Sequence, residues 1–397
     1  MPDTLNAPTP DERRTAAVRI TCIVHHRLAG LVRNILQEHE VRLALVEGGR
    51  NVRQLVRRRP FGIPGSTVRL EDTPVDVFTC TVAQSDARPI MREIVTATEL
   101  TTPGRGSLFA QHVLHYGPLG VESASFPQST HNASEPDLGQ DAHDGSLTDL
   151  TQITAILSTP GSGEQLGGLA LELGTCVPVV TGAVGTGMRD RLGLLRVTIP
   201  ADKEVVSFLV PSYDAEAVVR FLAEEMRLDR PGRGFVYQTL VHSARVDTRL
   251  RIGRQEHAAS IEQIVAAIDD LRRSTAWRKR FSAIDQDPNA IESSLLRARS
   301  EITVVCTEGN ARTFTESALS AGASGATTSR VRSLYRAHDP AISSATEKSI
   351  IHVSSDKVES ILASLSATFE STCDSCGWIQ VVDSPVAFAH RPWSKNA

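Results

Sequence analysis

Apolar residues recur along this chain in a fixed order that predicts the same series of elements three times. Each series opens on a strand of sequence Ile-Thr-x-(Ile/Val), at residues 20–23, 153–156 and 302–305. A helix, a strand, a long polar loop, a strand, a second helix and a last strand follow in each case. A repeat of this kind sets the number of units and the fold together.

The order of strands and helices in each unit is typical of the split βαβ, or ferredoxin-like, arrangement. A four-stranded sheet with helices on one side has a bare face that another layer must cover. Apolar residues on both faces of the opening strands predict that the three sheets cover one another about a threefold axis, as in a cyclic trimer. We therefore predict an α+β fold of three ferredoxin-like (βαββαβ) domains that form an intramolecular pseudo-trimer.

Changes in composition predict where these units begin and end. Residues 117–148 are rich in Ser, Asp, Pro and Asn without apolar periodicity, which is typical of a linker. Residues 256–281 and 290–298 have helical spacing and lie between the second and third units. The predicted divisions are a flexible tail (1–16), a first unit (17–116), a linker (117–148), a second unit (149–253), a helical insertion (254–299) and a third unit (300–397).

Composition and charge exclude several classes of function. The hydrophobic share of 41% and the charged share of 22% are those of an ordinary soluble globular protein. A net charge of -4 gives no general attraction for nucleic acid, so binding of a polyanion would need a local basic patch. Charged residues, Pro and Gly interrupt the longest apolar stretch, which argues against a membrane span. Six cysteines and the lack of a signal-peptide pattern predict a cytoplasmic protein.

Two turns of sequence Pro-Gly-Arg-Gly precede the last strand of the first and second units. Glycine allows backbone N–H groups to approach the oxygens of a phosphate, so these turns are candidate anion sites. Ordinary turn chemistry explains the same residues equally well. The three long polar loops, at residues 48–74, 185–203 and 331–347, are candidate docking surfaces for a partner protein, and the first of them is strongly basic.

The opening strands, the long loops, the stretch Val-Pro-Ser-Tyr-Asp-Ala-Glu-Ala-Val-Val at 210–219 and the turn Gly-Arg-Gly-Phe-Val at 232–236 resemble the nitrogen-regulatory PII signalling family. Members of that family are homotrimers of ferredoxin-like subunits. They bind adenine nucleotides between subunits and use a long loop to grip a target protein. The resemblance implies an intramolecular copy of that trimer with an adenine nucleotide as its ligand.

The resemblance also implies which residues bind the ligand. Matched to the phosphate-binding turn and the Arg-x-Arg stretch of the family are Gly104, Arg105, Gly106, Gly232, Arg233, Gly234, Arg249 and Arg251. A lysine that commonly follows the turn in the family is replaced here by Ser107, Phe235 and Trp378. This departure weakens the implication that ATP itself is the ligand, and a nucleotide or another small anion is the broader expectation.

Two further pairs of residues carry possible chemistry. His112 and His242 follow the glycine turns, where a histidine facing a cleft is suited to proton transfer. Cys373 and Cys376 form a single CxxC pair, which is half of a zinc site, a redox pair or a structural feature. The sequence thus leaves two functions open. One is a PII-like ligand-sensing regulator that signals through its long loops, and the other is an enzyme, most simply a hydrolase, in one asymmetric cleft.

Overall fold

The computed structural model describes residues 14–58, 66–117, 146–173, 175–187, 201–247, 250–252, 295–334, 344–372 and 377–390. The strands of these residues are β1 (Arg14–His25), β2 (Leu43–Arg58), β3 (Ser66–Val82), β4 (Gly106–Tyr116), β5 (Leu150–Leu157), β6 (Val179–Gly187), β7 (Asp202–Pro211), β8 (Gly234–Val241), β9 (Ser243–Arg245), β10 (Leu250–Ile252), β11 (Leu295–Thr307), β12 (Gly325–Ser333), β13 (Ala345–Ser354) and β14 (Trp378–Ala389). The helices are α1 (Ala29–Glu38), α2 (Gln84–Thr98), α3 (Ser162–Glu172), α4 (Ala215–Glu225), α5 (Ala311–Ser320) and α6 (Val358–Thr372).

All fourteen strands belong to one mostly antiparallel sheet. Its main path runs β10-β2-β3-β1-β4-β14-β11-β13-β12-β6-β7-β5-β8. Further pairings of β2 with β6 and β12, and of β14 with β8, join strands that are distant along this path. These pairings close the sheet on itself, which removes open edges that would otherwise present unpaired N–H and C=O groups.

The predicted fold class is therefore wrong. The chain does not form three ferredoxin-like domains, each with its own four-stranded sheet, that pack as a pseudo-trimer; it forms one closed, mostly antiparallel β-barrel with helices outside it. The order strand, helix, strand, strand, helix, strand does recur in the three segments. That order alone does not define separate domains here, because backbone hydrogen bonds between segments merge their strands into a single layer.

The prediction of a long loop at residues 48–74 is also wrong. Its described residues are strand, because β2 and β3 pair in continuous register from Leu43 opposite Thr81 to Arg58 opposite Ser66. Val52 of this hairpin is buried against Gly167 of α3, so the hairpin packs on a neighbouring segment. Of the other two predicted loops, 185–203 and 331–347, residues 188–200 and 335–343 lie outside the described residues, and most of the rest belong to the strands β6, β7, β12 and β13.

The outer face of the barrel carries the helices. Side chains of α1 and α2, including Val32, Ile35 and Ile94, pack against Ile20 and Cys22 of β1 in one apolar cluster. The inner face is polar in its middle part, where threonine, serine and glutamine side chains surround a small cavity. The helices thus bury the apolar face of the sheet, and the interior of the barrel supplies hydrogen bonds instead.

The bounds of the predicted tail, units, linker and helical insertion remain predictions. The residues 1–13, 118–145 and 253–294, which hold most of the tail, linker and helical insertion, lie outside the described residues. Residues 295–299, at the end of the predicted insertion, belong to the strand β11. Among the described helices, none combines the length and the apolar character needed to cross a membrane.

Candidate functional site

The second glycine of each Gly-Arg-Gly turn is required by packing. Gly106 and Gly234 have positive φ values of 149° and 139°. A Cβ atom would lie 1.9 Å from the carbonyl oxygen of Ile23 in the first case and 2.1 Å from that of Ile156 in the second. The close approach of this turn to the end of the opening strand explains these two glycines without any ligand.

We expect Gly234→Ala to destabilise the protein by about 2 kcal/mol or more, because the added methyl group meets backbone that cannot move aside. Gly182→Ala is the matched control, since Gly182 also lies in a strand but a Cβ there meets nothing within 4 Å. Urea denaturation of both variants measures the difference. Equal stability of the two variants would contradict the packing explanation.

The arginines of the two turns have partners within their own segments. Arg105 forms an ion pair with Glu99 at 2.7 Å, and Arg233 donates to the hydroxyl of Thr159 at 3.4 Å. Their backbone carbonyls accept hydrogen bonds from His25 and Ser158, respectively. These contacts hold the turns in place and keep both guanidinium groups near the surface.

The turn of the first segment holds a carboxylate of the chain itself. Gly104 N–H donates to Oδ1 of Asp247 over 2.7 Å, and the guanidinium of Arg53 pairs with Oδ2. The backbone N–H of Asp247 donates to the hydroxyl of Ser107 at 2.9 Å. Arg53 and Asp247 are almost completely buried, and Nη1 of Arg53 has no hydrogen-bond partner among the residues that the structure describes. The predicted phosphate turn therefore binds an anion, but the anion is Asp247.

Carboxylates also occupy the starts of two of the outer helices, α3 and α5. Glu204 accepts a hydrogen bond from Gly163 N–H at 2.8 Å, and Glu347 accepts from the N–H groups of Gly309 and Ala311 at 2.9 and 3.0 Å. An acidic group is stabilised at a helix N-terminus by the exposed N–H groups and the helix dipole. These helix ends are thus satisfied internally and are not open anion sites.

An open groove lies where α1 and the start of β2 meet the end of β12. We call it the arginine groove, and its lining includes Arg33, Leu36, Gln37, Glu40, Val41, Arg42, Val46, Arg332, Ser333, Leu334 and Ser344. Its volume of about 660 Å³ is within the range of small-molecule sites. Sequence reasoning missed it, because its residues come from segments that only the pairing of β2 with β12 brings together.

Charge and polarity divide the arginine groove into two parts. Leu36, Val41 and Val46 are buried and give it an apolar floor. Arg33 and Arg332 are exposed, and within the described parts of the chain neither of them forms an ion pair or a side-chain hydrogen bond. Two guanidinium groups beside an apolar floor are suited to an anion that also carries an apolar or aromatic group.

A buried network crosses the interior of the barrel. Arg19 donates to Glu301 at 2.8 Å and to Oε1 of Gln111 at 3.2 and 2.9 Å, and the hydroxyl of Tyr237 donates to Glu301 at 2.8 Å. Burial raises the pKa of Tyr237, and the charge of Glu301 raises it further. Burial acts to raise the pKa of Glu301, but Arg19 and the hydroxyl of Tyr237 bring it below its usual value. These groups satisfy one another, which indicates a structural role.

His112 and His242 do come together. Their ring centroids are 3.7 Å apart in an edge-to-face arrangement, and the backbone N–H of His112 donates to Nδ1 of His242 at 3.4 Å. Burial lowers the pKa of both rings, to about 4 for His242, which also faces His112. Both imidazoles are therefore neutral at pH 7 and able to accept a proton.

The remaining predicted site residues are not brought into a described site. Arg249, Cys373 and Cys376 lie outside the described residues. Arg251 lies in β10, whose backbone pairs in parallel with β2. Within the part of the chain that the structure describes, no three His, Cys, Asp or Glu side chains are grouped so as to hold a metal ion.

Comparisons with known proteins add little to this geometry. No family model and no curated protein matches the chain. Among solved structures, the chain is similar to aspartate kinase from Synechocystis, with 13% sequence identity and a TM-score of 0.19. The matched region covers 59% of this chain and 43% of the kinase chain. A similarity at this level supports no conclusion about fold or function.

Proposed function

We propose that the protein is a ligand-sensing regulator that binds a nucleotide or another small organic anion in the arginine groove. The observation that carries the proposal is the open groove of about 660 Å³ with two guanidinium groups, of Arg33 and Arg332, that have no partner among the described residues. Three arginines and one glutamate line the groove, so it has a local excess of positive charge although the net charge of the whole chain is -4.

An adenine nucleotide is the first ligand to examine. Its phosphates suit the guanidinium groups, and its base suits the apolar floor formed by Leu36, Val41 and Val46. The resemblance to the PII family, which binds adenine nucleotides between subunits, points to the same class. A small dicarboxylate satisfies the charges equally well but leaves the apolar floor in contact with water.

The groove is connected to the hairpin that we propose as the signalling element. Val46 lies in β2, directly opposite Arg332 of β12, and the same strand continues into the β2–β3 hairpin. A ligand that draws Arg33 and Arg332 together changes the contact of α1 and β12 with β2. We propose that the hairpin transmits this change to a partner protein.

Arg33→Gln/Arg332→Gln is expected to weaken ATP binding at least tenfold, because each charged hydrogen bond contributes about 1.5 kcal/mol or more. Isothermal titration calorimetry of the full chain with ATP, ADP, AMP and 2-oxoglutarate measures the effect and ranks the ligands. Arg92→Gln is the matched control, since Arg92 is an exposed arginine on α2 that does not line the groove. If no compound binds to the wild-type chain, or if the double variant binds as tightly as the control, the proposal fails.

Hydrolysis is a second candidate function, favoured by the His112–His242 pair alone. A neutral, half-buried imidazole accepts a proton from water, but its lowered pKa, about 4 for His242, makes it a weaker base than an ordinary histidine. A panel of ester, amide and phosphoester substrates would reveal such an activity. Loss of it in His242→Gln, with an unchanged melting temperature, would support catalysis by this pair.

A further inference from the structure

The carboxylate of Asp247 is bound in the way a protein binds a foreign anion. It accepts a hydrogen bond from the backbone N–H of a glycine turn and a charge-assisted bond from Arg53. Gly104 and Asp247 are 143 residues apart, so the contact joins two separate segments of the chain. A carboxylate held by a glycine-turn N–H and a guanidinium occupies a place that phosphate or another oxyanion fits.

The site has one more hydrogen-bond donor than the carboxylate of Asp247 satisfies. Arg53 exposes only 4% of its side chain, and its buried Nη1 has no partner within the described parts of the chain. An unpaired buried donor of a charged group costs free energy that a ligand with more oxygens recovers. A tetrahedral oxyanion offers four oxygens, while Asp247 offers two, both of which are already in use.

The segment that carries Asp247 joins the sheet through short strand pairings, and Ala244, Val246 and Asp247 within it are buried. Its strand β9 pairs with β4 over three residues, and Leu147 adds a single bridge to Ala244. The strand β10, a few residues further on, pairs with β2 over three residues in parallel. An anion that displaces Asp247 therefore has to open these short pairings and expose the buried side chains of the segment.

We infer that the carboxylate of Asp247 occupies a site that an external oxyanion can also bind. An anion that binds Gly104 N–H and the guanidinium of Arg53 displaces the carboxylate and releases residues 243–247 from β4. Because the same segment leads to β10, which pairs with the β2–β3 hairpin, the release also frees one edge of that hairpin. Displacement of Asp247 is separate from ligand binding in the arginine groove and does not depend on it.

The test is phosphate binding by the full chain, with inorganic phosphate as the probe. We expect Asp247→Asn and Asp247→Ala to bind phosphate at least tenfold more tightly than the wild type, because the competing charge is gone. Adding Arg53→Gln to Asp247→Asn is expected to abolish that gain. In the wild type, saturating phosphate is expected to speed amide hydrogen exchange in residues 243–247.

Two outcomes would overturn the inference. Asp247→Asn keeps the size of the side chain, so a folded variant that binds phosphate no more tightly than the wild type shows that the carboxylate does not compete. The second outcome is a gain that disappears when Arg33→Gln/Arg332→Gln is added, which would locate the phosphate in the arginine groove. A gain in phosphate affinity that persists in the Arg33→Gln/Arg332→Gln background supports displacement of Asp247, even if no nucleotide binds in the groove.

Discussion

Glu301→Ala is expected to lower the free energy of unfolding by about 3 to 5 kcal/mol, because Arg19 would keep a buried charge without its partner. Glu301 is the centre of the interior network, where it accepts hydrogen bonds from Arg19, Tyr237 and Thr303. The side chains of Arg19 and Glu301 are only 9% and 6% exposed. Loss of the carboxylate therefore leaves three donors unsatisfied where water has little access.

Urea denaturation followed by circular dichroism measures this loss. Glu359→Ala is the matched control, since Glu359 pairs with Arg14 at the surface and such pairs contribute at most about 1 kcal/mol. Replacing both partners, as Arg19→Met/Glu301→Leu, is expected to recover much of the stability, because the buried charge is then removed together with its partner. A loss in Glu301→Ala no larger than that in Glu359→Ala would contradict the structural role of the network.

A fall in pH from 7 to 4 is expected to destabilise the protein by several kcal/mol. Burial lowers the pKa of His115 to about 4, and burial together with Arg299 lowers that of His352 to about 3. An unfolded chain has histidines with a pKa of about 6.5, so it takes up protons first as the pH falls. The stability is fully present above pH 6.5 and is lost as the pH drops from there towards 4.

The size of this effect follows from the shifts, because one pKa unit corresponds to about 1.4 kcal/mol. Over the fall from pH 6.5 to 4, each of these two buried rings accounts for a loss on the order of 3 kcal/mol, and the loss from His352 continues towards pH 3. Carboxylates such as Glu301 add to the loss only below about pH 4.5, because their pKa values are lowered from that level. The loss between pH 6.5 and 4.5 therefore comes from the histidines alone, and the carboxylates contribute only below that interval.

Denaturation curves at several pH values between 7.5 and 4 measure the dependence. His352→Gln is expected to reduce the slope between pH 6.5 and 4 while an amide keeps a hydrogen bond to Ser384, which His352 contacts at 2.9 Å. His39→Gln is the control, since His39 is exposed. A stability that stays constant between pH 7 and 4.5, or an unchanged slope in His352→Gln, would contradict the expected cause.

Local patterns predicted the elements well but not their assembly. The predicted opening strands lie within β1, β5 and β11, because alternation of apolar residues reports a strand directly. Closure of the sheet depends on pairings such as Arg332 with Val46, between residues far apart in sequence. Periodicity carries no information about such pairings, and the fold class was wrong for that reason.

The candidate site was predicted only in part, for a related reason. The sequence located the turns at 104–106 and 232–234, since Pro-Gly-Arg-Gly is a strong turn signal. It did not reveal that Asp247 fills the first turn or that Gly234 is required by close packing. The arginine groove was missed because Arg33 and Arg332 each resemble solvated surface residues until the fold brings them together.

Hydrogen–deuterium exchange of the full chain with and without saturating ATP tests the central claim most directly. If the arginine groove binds the nucleotide, amides in residues 36–46 and 332–334 should exchange more slowly, and exchange in the β2–β3 hairpin should change as well. Unchanged exchange in residues 36–46 and 332–334 at a concentration of ATP that saturates the protein would contradict the proposed site.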